Sequence, residues 1–363
     1  MDVSVLQPAL TTTNAKWAFT TRRVAHEDVA RIDTDVRSAG AGDLVLAQIT
    51  KIGQHKSIQL AQGRVSQTYP GDLVVAACGD RYAPDQFEGV AELDPEGSDL
   101  VAAGGLIGRM RHAHAAMAAP TRVKPLGLLV DHAGAIINVG SYALPMRPAP
   151  RGLTVLGVIG SSMNAGKTTA AASLAHGLSR AGLPVAAIKA TGTGAFGDFN
   201  AFLDAGVAHV ADFTDAGMAS TYRQPVQRLE RGFDALLAHV AERGARVVVV
   251  ELADGIFQEE TARLLKGSRI RDAFNGLLFA APDALGAVGG VAILRQWGLA
   301  PFAVSGMVSC SPLGISEAKA MIGVPVVSRD QLRDPQCATD LVRGLLPKPA
   351  EQRAVPSGWA RAA

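Results

Sequence analysis

The sequence predicts an α/β domain with a doubly wound, mostly parallel sheet, preceded by a small β-barrel or β-sandwich. Short β-type runs with glycine turns fill the first part of the chain, strands alternate with helical patterns from residue 153 onward, and a proline-rich segment lies between these parts. The 363 residues suffice for two domains, which usually hold about 100–200 residues each. The predicted division is 1–145, a linker at 146–152, 153–346, and a flexible tail at 347–363.

The N-terminal part is predicted to be β-rich. Its apolar runs are separated by turn residues such as Pro70-Gly71-Asp72, the pattern of a small barrel or sandwich. These runs lie at 43–50, 56–60, 72–78, 126–131 and 135–139. We expect one helical segment among them, from about Leu106 to Met117. The following segment PMRPAPRG carries three prolines, which neither donate to a sheet nor continue a helix, and this composition predicts the linker.

From residue 153 onward the pattern changes to strands that alternate with helices. Val226, Leu229 and Phe233 have the spacing of one face of a helix, which is predicted over 226–240. The next run, RVVVVEL at 246–252, is β-branched and suits the centre of a parallel sheet. Further strands are predicted at 154–159, 184–190, 276–281, 302–308 and 324–328. This order implies βαβ units and a doubly wound sheet.

Composition limits the classes of function. Basic residues number 35 and acidic residues 33, so the net charge of +2 gives no support for nucleic-acid binding. The hydrophobic fraction of 48% allows a large core, but no apolar run approaches the roughly 18–20 residues of a membrane span. The N-terminus lacks a basic-then-apolar leader pattern, and the three separate cysteines fit a reducing compartment. These observations predict a soluble, cytoplasmic protein.

The main functional signal is the stretch VLGVIGSSMNAGKTTAAASLAHGL, in which a strand leads through a polar loop into an alanine-rich helix. Gly160 lets the chain leave the strand, and Gly166 permits close approach of the backbone to a phosphate. Amides at the start of the helix bind the anion, helped by the helix dipole. Lys167 is placed to reach the β- and γ-phosphates, and the Thr168 hydroxyl to bind Mg²⁺. The predicted nucleotide-binding residues of this loop are Gly160, Ser161, Ser162, Met163, Asn164, Ala165, Gly166, Lys167, Thr168 and Thr169.

The loop is one residue longer than the common phosphate loop, since five residues separate Gly160 from Gly166. A loop of this form before an alanine-rich helix resembles that of dethiobiotin synthetase, in the SIMIBI branch of P-loop proteins. The resemblance covers roughly residues 153–330, and it implies nucleotide binding with Mg²⁺ and chemistry at the γ-phosphate. MinD-like members of this branch carry a second lysine where this chain has Ser162, so their mechanism across a dimer is not indicated. A homodimer stays an open alternative.

The resemblance extends to the second strand. In dethiobiotin synthetase a lysine at the end of this strand precedes a glycine-containing segment that helps to hold the acceptor, and AAIKATGTG places Lys189 in the same way. A cation there would stabilise charge on the transferred group. Lys167 and Lys189 are therefore the predicted catalytic residues. The alternative for Lys189 is a surface lysine at a strand end.

The predicted metal set consists of Thr168, Asp198 and Glu251. The relatives place an aspartate in the first turns of a helix, where this chain has Asp198, with Asp204 one turn later as an alternative. Glu251 ends the β-branched run, and a carboxylate at that strand end faces the phosphate loop and can hold Mg²⁺ directly or through water. Asp254 could share this task. The alternative for Glu251 is a cap of the following helix.

The identity of the base is predicted from the turn after the strand FAVSGMV. The relatives read adenine with an asparagine there, whereas this chain has Ser309, Cys310 and Ser311. Ser309 and Ser311 are the predicted base contacts. The guanine-reading N/T-K-x-D motif is absent. ATP is therefore the favoured nucleotide, with Mg²⁺, and GTP stays an alternative.

Two loops remain without a fixed function. The segment GDRYAPDQFEG at 79–89 combines Arg81, Tyr82, Asp85, Gln86 and Glu88, and it either binds an acceptor or a partner or forms a well-packed turn. Asp212 and Asp215, in DFTDAGMAST, either face the active site or belong to an ordinary polar loop.

These features together favour an ATP-dependent kinase-like or ligase-like enzyme that passes a γ-phosphoryl group to a small acceptor. In-line transfer needs positioning and charge neutralisation more than covalent help. A nucleotide-hydrolysing switch or chaperone, whose β domain binds a protein partner, is the first alternative. A polynucleotide kinase is the second, although the near-neutral charge counts against it.

Overall fold

The β strands of the N-terminal part form one mostly antiparallel sheet with a small hairpin beside it. The structure, a computed structural model, describes residues 12–346, and the predicted tail at 347–363 lies outside the described residues. The strands are β1 Lys16–Trp17, β2 Arg31–Asp33, β3 Leu44–Lys51, β4 Ser57–Gln59, β5 Val65–Gln67, β6 Leu73–Cys78, β7 Phe87–Val90, β8 Ser98–Ala102, β9 Leu106–Ala113 and β10 Thr121–Val130. Their order is β1-β6-β3-β10-β8-β9-β7, with β2 paired to β10 and β4 to β5. An additional pairing of β6 with β9 closes a ring of strands β6, β3, β10, β8 and β9.

Two expectations for this part are wrong. A helix is predicted from Leu106 to Met117, but Leu106–Ala113 form strand β9, which pairs with β7 and β8. Those two neighbours supply backbone partners along the segment, and such tertiary pairing outweighs local preference. The strand predicted at 135–139 forms only isolated bridges to Val130 and Asp43 before a 3₁₀ turn at Val139–Tyr142.

The second part is an α/β unit whose sheet has six strands. The strands are β11 Thr154–Gly160, β12 Val185–Lys189, β13 His209–Asp212, β14 Val247–Glu251, β15 Gly276–Ala280 and β16 Pro301–Ser305. The order β13-β12-β14-β11-β15-β16 is parallel at every pairing. The segment predicted as a strand at 324–328 makes one parallel bridge, Val304 to Val326, instead of a ladder.

Helices cover both faces of this sheet. They are α1 Lys167–Arg180, α2 Phe196–Asp204, α3 Val226–Glu242, α4 Glu259–Lys266, α5 Arg269–Ala273, α6 Ala284–Gln296, α7 Pro312–Ile322, α8 Arg329–Arg333 and α9 Pro335–Val342. Leu174 of α1 and Phe202 of α2 lie in one apolar core, whereas Phe233 of α3, Leu264 of α4 and Val291 of α6 lie in the other. The prediction of an α/β unit with a doubly wound parallel sheet is confirmed.

The two parts pack against each other beside the carboxyl ends of the parallel strands. Phe19 contacts the ring of Phe196 edge-on, with a centroid distance of 6.0 Å. The Arg22 guanidinium pairs with Asp212 and Asp215, each at 2.8 Å. Within residues 12–346, none of the helices combines the length and the apolar character needed to cross a bilayer.

Candidate nucleotide-binding site

The phosphate loop connects the end of β11 directly to the start of α1. Gly166 caps the helix with φ +94°, and Asn164 has φ +62°. Glycine adopts such left-handed conformations freely and asparagine tolerates them. A Cβ on Gly166 would lie 3.0 Å from the Cα of Gly306, so the loop also packs tightly against the segment after β16. This geometry leaves the amides at the start of α1 facing the cleft, as an anion site requires.

Two other glycines allow the elements around the loop to approach one another. A Cβ on Gly160 would lie 2.7 Å from Cγ of Lys167, so only a glycine lets this side chain pass over the strand end. A Cβ on Gly255 would lie 2.5 Å from the carbonyl oxygen of Ser161. The neighbouring Ile256 N–H donates to the Gly160 carbonyl at 3.0 Å. The turn after β14 therefore packs against the phosphate loop and is hydrogen-bonded to it.

Lys167 is buried in this loop, with 6% of its surface exposed. Its Nζ donates to the Ser162 carbonyl at 2.7 Å. Burial lowers the pKa of its ammonium group, and the nearby carboxylates of Glu251 and Asp254 oppose that effect. The ammonium is thus a desolvated cation held by a single neutral acceptor inside the loop, and a phosphate oxygen would be a stronger partner.

Thr168 and Glu251 meet across the cleft. The Thr168 hydroxyl donates to Oε1 of Glu251 at 3.0 Å. Strands β11 and β14 are neighbours, with Val158 in register with Glu251, and this pairing brings the carboxylate to the phosphate loop. Glu251 is 2% exposed, and its buried Oε2 has no hydrogen-bond partner among residues 12–346. A buried carboxylate oxygen without a partner is costly, and a hard cation or its bound water would satisfy it.

Lys189 and Asp198 form an ion pair at the side of the same cleft. Lys189 ends β12, in register with Glu251 of β14, and its Nζ contacts Oδ2 of Asp198 in the first turn of α2. The side chains are 12% and 28% exposed. Asp198 therefore faces the cleft but neutralises Lys189 here, and its role as a metal ligand stays a prediction. Asp204, at the end of α2, is exposed and does not line the cleft.

Asp254 lies at the centre of the charged groups. Burial raises the pKa of its carboxyl to about 6, with a further contribution from Glu251. The cations Lys167, Lys189 and Arg81 oppose this shift. From the sequence, Asp254 is expected only to help Glu251, whereas in the structure three cations from separate parts of the chain act on it.

The N-terminal part contributes one wall of the cleft. Arg81, Asp85 and Gln86 line it opposite the phosphate loop, and the enclosed volume is about 490 Å³. The Asn164 amide donates to Oδ2 of Asp85 at 2.8 Å, so the wall is attached to the tip of the loop. Tyr82 lies outside, with its ring centroid 5.5 Å from that of Tyr222. Among the alternatives for the 79–89 loop, this placement favours ligand binding for Arg81, Asp85 and Gln86.

The other lining residues carry little sequence signal. Thr193, Ala195, Ala253 and Met307 line the cleft together with the predicted residues. They are small or apolar, and only the fold brings them to the strand ends. No residue type or spacing in the sequence could have singled them out.

The two serines predicted to read the base are engaged locally. Ser309 Oγ donates to the Gly306 carbonyl at 2.7 Å, and Ser311 caps α7, accepting from Gly314 N–H at 3.4 Å. Met307 of the same turn is 52% exposed and lines the cleft. The assignment of Ser309 and Ser311 to the base therefore stays a prediction.

A separate metal centre is not found among the residues that the structure describes. Within residues 12–346, no group of three or more His, Cys, Asp or Glu side chains is arranged to hold a metal ion. Asp212 and Asp215 pair with Arg22 instead of facing the cleft.

Comparisons with known proteins assign no family. No protein-family model matches the sequence, and no curated protein matches it. Among solved structures, the signal recognition particle 54 kDa protein of Aeropyrum pernix K1, in complex with GDP, is 20% identical over 55% of this chain, with a TM-score of 0.35. The chain covers 50% of that protein, about half of its length.

Two further solved structures give similar values. The signal recognition particle receptor FtsY of Elizabethkingia anophelis is 18% identical over 55% of this chain and 67% of its own, with a TM-score of 0.36. The cell division protein FtsY of Thermotoga maritima is 20% identical over 56% of this chain and 72% of its own, with a TM-score of 0.35. Likenesses with TM-scores this low assign no function to the chain.

Proposed function

We propose that this chain binds a magnesium–purine nucleoside triphosphate at the phosphate loop and transfers the γ-phosphoryl group to a small acceptor in the cleft. The observation that supports this most directly is the 3.0 Å hydrogen bond between Thr168 and Glu251, beside buried Lys167. A hydroxyl, a carboxylate and an ammonium group at the start of one helix are the groups that a P-loop nucleotide site requires. The SIMIBI type, with a dethiobiotin-synthetase-like reaction, is part of this proposal.

Magnesium fits the residues present. Thr168 and Glu251 would hold it, because Oε2 of Glu251 is buried without a hydrogen-bond partner among the described residues. When bound, the ion neutralises charge on the β- and γ-phosphate oxygens. Lys167 is placed to bind the same phosphates from the loop side, once its ammonium leaves the Ser162 carbonyl.

The proposed transfer is an in-line displacement. An acceptor oxygen forms a bond to the γ-phosphorus, the bond to the β–γ bridging oxygen breaks, and the nucleoside diphosphate leaves with the bonding electrons. Lys167 and Lys189 stabilise the negative charge on the transferred group. A carboxylate or carbamate acceptor carries no proton on its attacking oxygen, whereas a hydroxyl acceptor releases its proton to Asp254 or to solvent.

The cleft supports a small acceptor better than a hydrolytic switch. Its volume of about 490 Å³ lies in the range of small-molecule sites. Lys189 and Thr193 line the part beyond the phosphate loop, where an acceptor would sit. In the described N-terminal part, the large apolar side chains that are exposed are Val65 and Tyr69, too few for a broad protein-docking surface.

The test separates binding from turnover. Lys167→Ala should abolish the thermal stabilisation of the protein by ATP or GTP with Mg²⁺, which reaches about 2.7 kcal/mol at a ligand concentration of about 100 Kd. Lys189→Ala should keep most of that stabilisation and lower the rate of acceptor-dependent turnover, since its charge acts on the transferred group. Lys319→Ala, exposed on α7, is the matched control and should behave as the wild type.

Two results would reject this proposal. The first is a folded wild-type protein that neither purine triphosphate stabilises in the presence of Mg²⁺. The second is turnover that no metabolite in a broad panel accelerates, which would support the hydrolytic switch. Phosphorylation of a labelled oligonucleotide would instead support the polynucleotide kinase.

A further inference from the structure

The cleft contains a buried cation that the proposed reaction does not yet use. Arg81 is 7% exposed and lines the cleft from the N-terminal part. No carboxylate of residues 12–346 lies within ion-pair distance of its guanidinium, 4.0 Å. The charge of an arginine cannot be removed by deprotonation at neutral pH. Burial without a directly paired carboxylate is therefore costly: desolvation lowers the pKa of Arg81 to about 10, and the carboxylates of Asp85 and Asp254 oppose this shift only in part.

Arg22 shows how this chain buries a guanidinium for structural purposes. Its side chain is 12% exposed and pairs with two carboxylates, Asp212 and Asp215, at 2.8 Å each. Arg81 is buried to a similar degree, but its hydrogen-bond acceptors within residues 12–346 are neutral, and the carboxylates of Asp85 and Asp254 act on it only from beyond ion-pair distance. The difference indicates that a directly bonded anionic partner for Arg81 would come from a ligand.

The guanidinium of Arg81 is held in a fixed orientation. One Nη donates to the Val101 carbonyl and lies 3.2 Å from Nε2 of His55, and the other donates to Oε1 of Gln86 at 2.8 Å. Burial lowers the pKa of His55 to about 4, and the charge of Arg81 adds to this effect, so His55 is neutral at physiological pH. The Nε of Arg81 is buried and has no hydrogen-bond partner among residues 12–346. One donor of the planar group is therefore free for a ligand.

The location of Arg81 points to the outer end of a nucleotide. Asp85, four residues further along the loop, accepts from the amide of Asn164 at the tip of the phosphate loop. Arg81, Lys167 and Lys189 all act electrostatically on Asp254. Three cations from the β part, the phosphate loop and β12 thus converge on one region, which suits a group with several anionic oxygens.

We propose that Arg81 binds the terminal phosphoryl group of the nucleoside triphosphate and makes the site prefer a triphosphate to a diphosphate. The inference rests on the proposed nucleotide site. In it, the N-terminal part supplies a positioned cation to the phosphate chemistry of the second part. Release of the diphosphate after transfer would then be favoured, because Arg81 loses its anionic partner.

The test is the affinity ratio between triphosphate and diphosphate. Calorimetry measures binding to the wild-type protein and to Arg81→Gln, in the presence of Mg²⁺. The ligands are the imidotriphosphates AMP-PNP and GMP-PNP and the diphosphates ADP and GDP. The affinity for the triphosphate analogue that binds should fall roughly 10- to 100-fold, the loss expected for a charge-assisted hydrogen bond. The affinity for the matching diphosphate should stay within about 3-fold, because Arg81 does not reach the β-phosphate in this proposal.

A second readout separates ligand binding from a structural role. Ligand-free Arg81→Gln should melt at the same temperature as the wild type or higher, since the substitution removes a buried charge that no carboxylate of residues 12–346 contacts directly. A purely structural arginine would instead give a lower melting temperature. Arg109→Gln, at an exposed position of β9 and paired with Glu92, is the matched surface control and should change neither readout.

The outcomes are distinct. An equal loss of affinity for triphosphate and diphosphate, or no loss for either, would overturn the role of Arg81; the latter would fit a carboxylate on the acceptor as its partner. If Arg81→Gln does not fold, Arg81→Lys is the deciding variant, because it keeps the charge and loses the planar donors. A ratio of triphosphate to diphosphate affinity equal to that of the wild type would then reject the proposal. A wild type that binds none of the four nucleotides would refute the nucleotide site itself.

Discussion

Close backbone contacts at single glycines determine the shape of the phosphate loop. Gly160 leaves space for the Lys167 side chain, and Gly255 brings the turn after β14 against Ser161. The nearest atom to a Cβ on Gly255 would be a backbone oxygen, at 2.5 Å, which cannot rotate away as a side chain could. The position of the loop therefore depends on a residue in a different βα connection.

We predict that Gly255→Ala lowers the affinity for nucleotide by roughly an order of magnitude or more. The added methyl group pushes the Ser161–Ser162 segment out of place, and a small misplacement of binding groups is costly. Thermal shift with Mg²⁺ and each purine triphosphate measures the effect. The control is Gly289→Ala in α6, where a Cβ meets no atom within 4 Å; it should keep binding and gain about 0.5–1 kcal/mol of stability from helix propensity. Unchanged binding by Gly255→Ala would contradict this account.

The residues of the phosphate loop could be predicted from the sequence because their signal is local. Gly160, Gly166, Lys167 and Thr168 lie within one strand–loop–helix unit, where spacing alone indicates the chemistry. The importance of Arg81 could not be predicted in this way. Its burial and its missing carboxylate depend on which distant segments surround it, and a polar loop in a sequence fits both a packed turn and a ligand site.

A hydrogen bond between two elements fixes the loop of the N-terminal part to the phosphate loop. Asn164 donates to Asp85 at 2.8 Å, across a separation of 79 residues in the chain. Asn164 also has φ +62°, a conformation that glycine adopts without strain. The contact can therefore be removed without forcing the backbone to change.

We predict a coupling free energy of about 1 kcal/mol between Asn164 and Asp85. It is measured as a double-mutant cycle of chemical unfolding with Asn164→Gly, Asp85→Ala and the double variant, in which the added backbone freedom of glycine cancels. The expected size is that of a partly solvated hydrogen bond to a carboxylate. A coupling near zero would show that the two loops are positioned independently.

Elements with a clear hydrophobic pattern were predicted well, and strands that depend on pairing with distant strands were not. The helix expected over 226–240 runs from Val226 to Glu242, and the β-branched run became the buried strand β14. The segment Leu106–Ala113 has no such period, and it is a strand because β7 and β8 lie on either side. The two-residue strand β1 likewise exists only through its pairing with β6.

At the scale of the whole molecule, one buried ion cluster joins the two parts. Arg22 extends from the N-terminal part to Asp212, the last residue of β13 in the parallel sheet, and to Asp215 just after it. Its guanidinium also lies over the ring of Phe19, at 4.2 Å from the centroid. The sequence left Asp212 and Asp215 between an active-site role and an ordinary loop, because nothing in the sequence indicates that an arginine about 190 residues earlier reaches them.

Arg22→Ala should destabilise the protein by roughly 3–5 kcal/mol at neutral pH, because it leaves buried Asp212 without its cation and Asp215 with only the more exposed Arg23, at 3.6 Å. Burial and Asp212 already raise the pKa of Asp215, and Arg22 opposes that shift. Without Arg22 the folded-state pKa of Asp215 rises further above its unfolded value. The deficit of the variant is therefore largest above that folded-state pKa and shrinks as the pH falls through it, when the carboxyl is protonated.

Chemical unfolding of the wild type and Arg22→Ala at a series of pH values between about 4 and 8 measures this dependence, with the free energy difference at each pH as the readout. The matched control is Arg31→Ala, whose side chain is 54% exposed and whose nearest Asp33 oxygen is 3.8 Å away. It should change stability by no more than about 0.5 kcal/mol at any pH. A deficit for Arg22→Ala below about 1 kcal/mol at neutral pH, or one that grows on acidification, would mean that the cluster does not hold the two parts together by charge pairing.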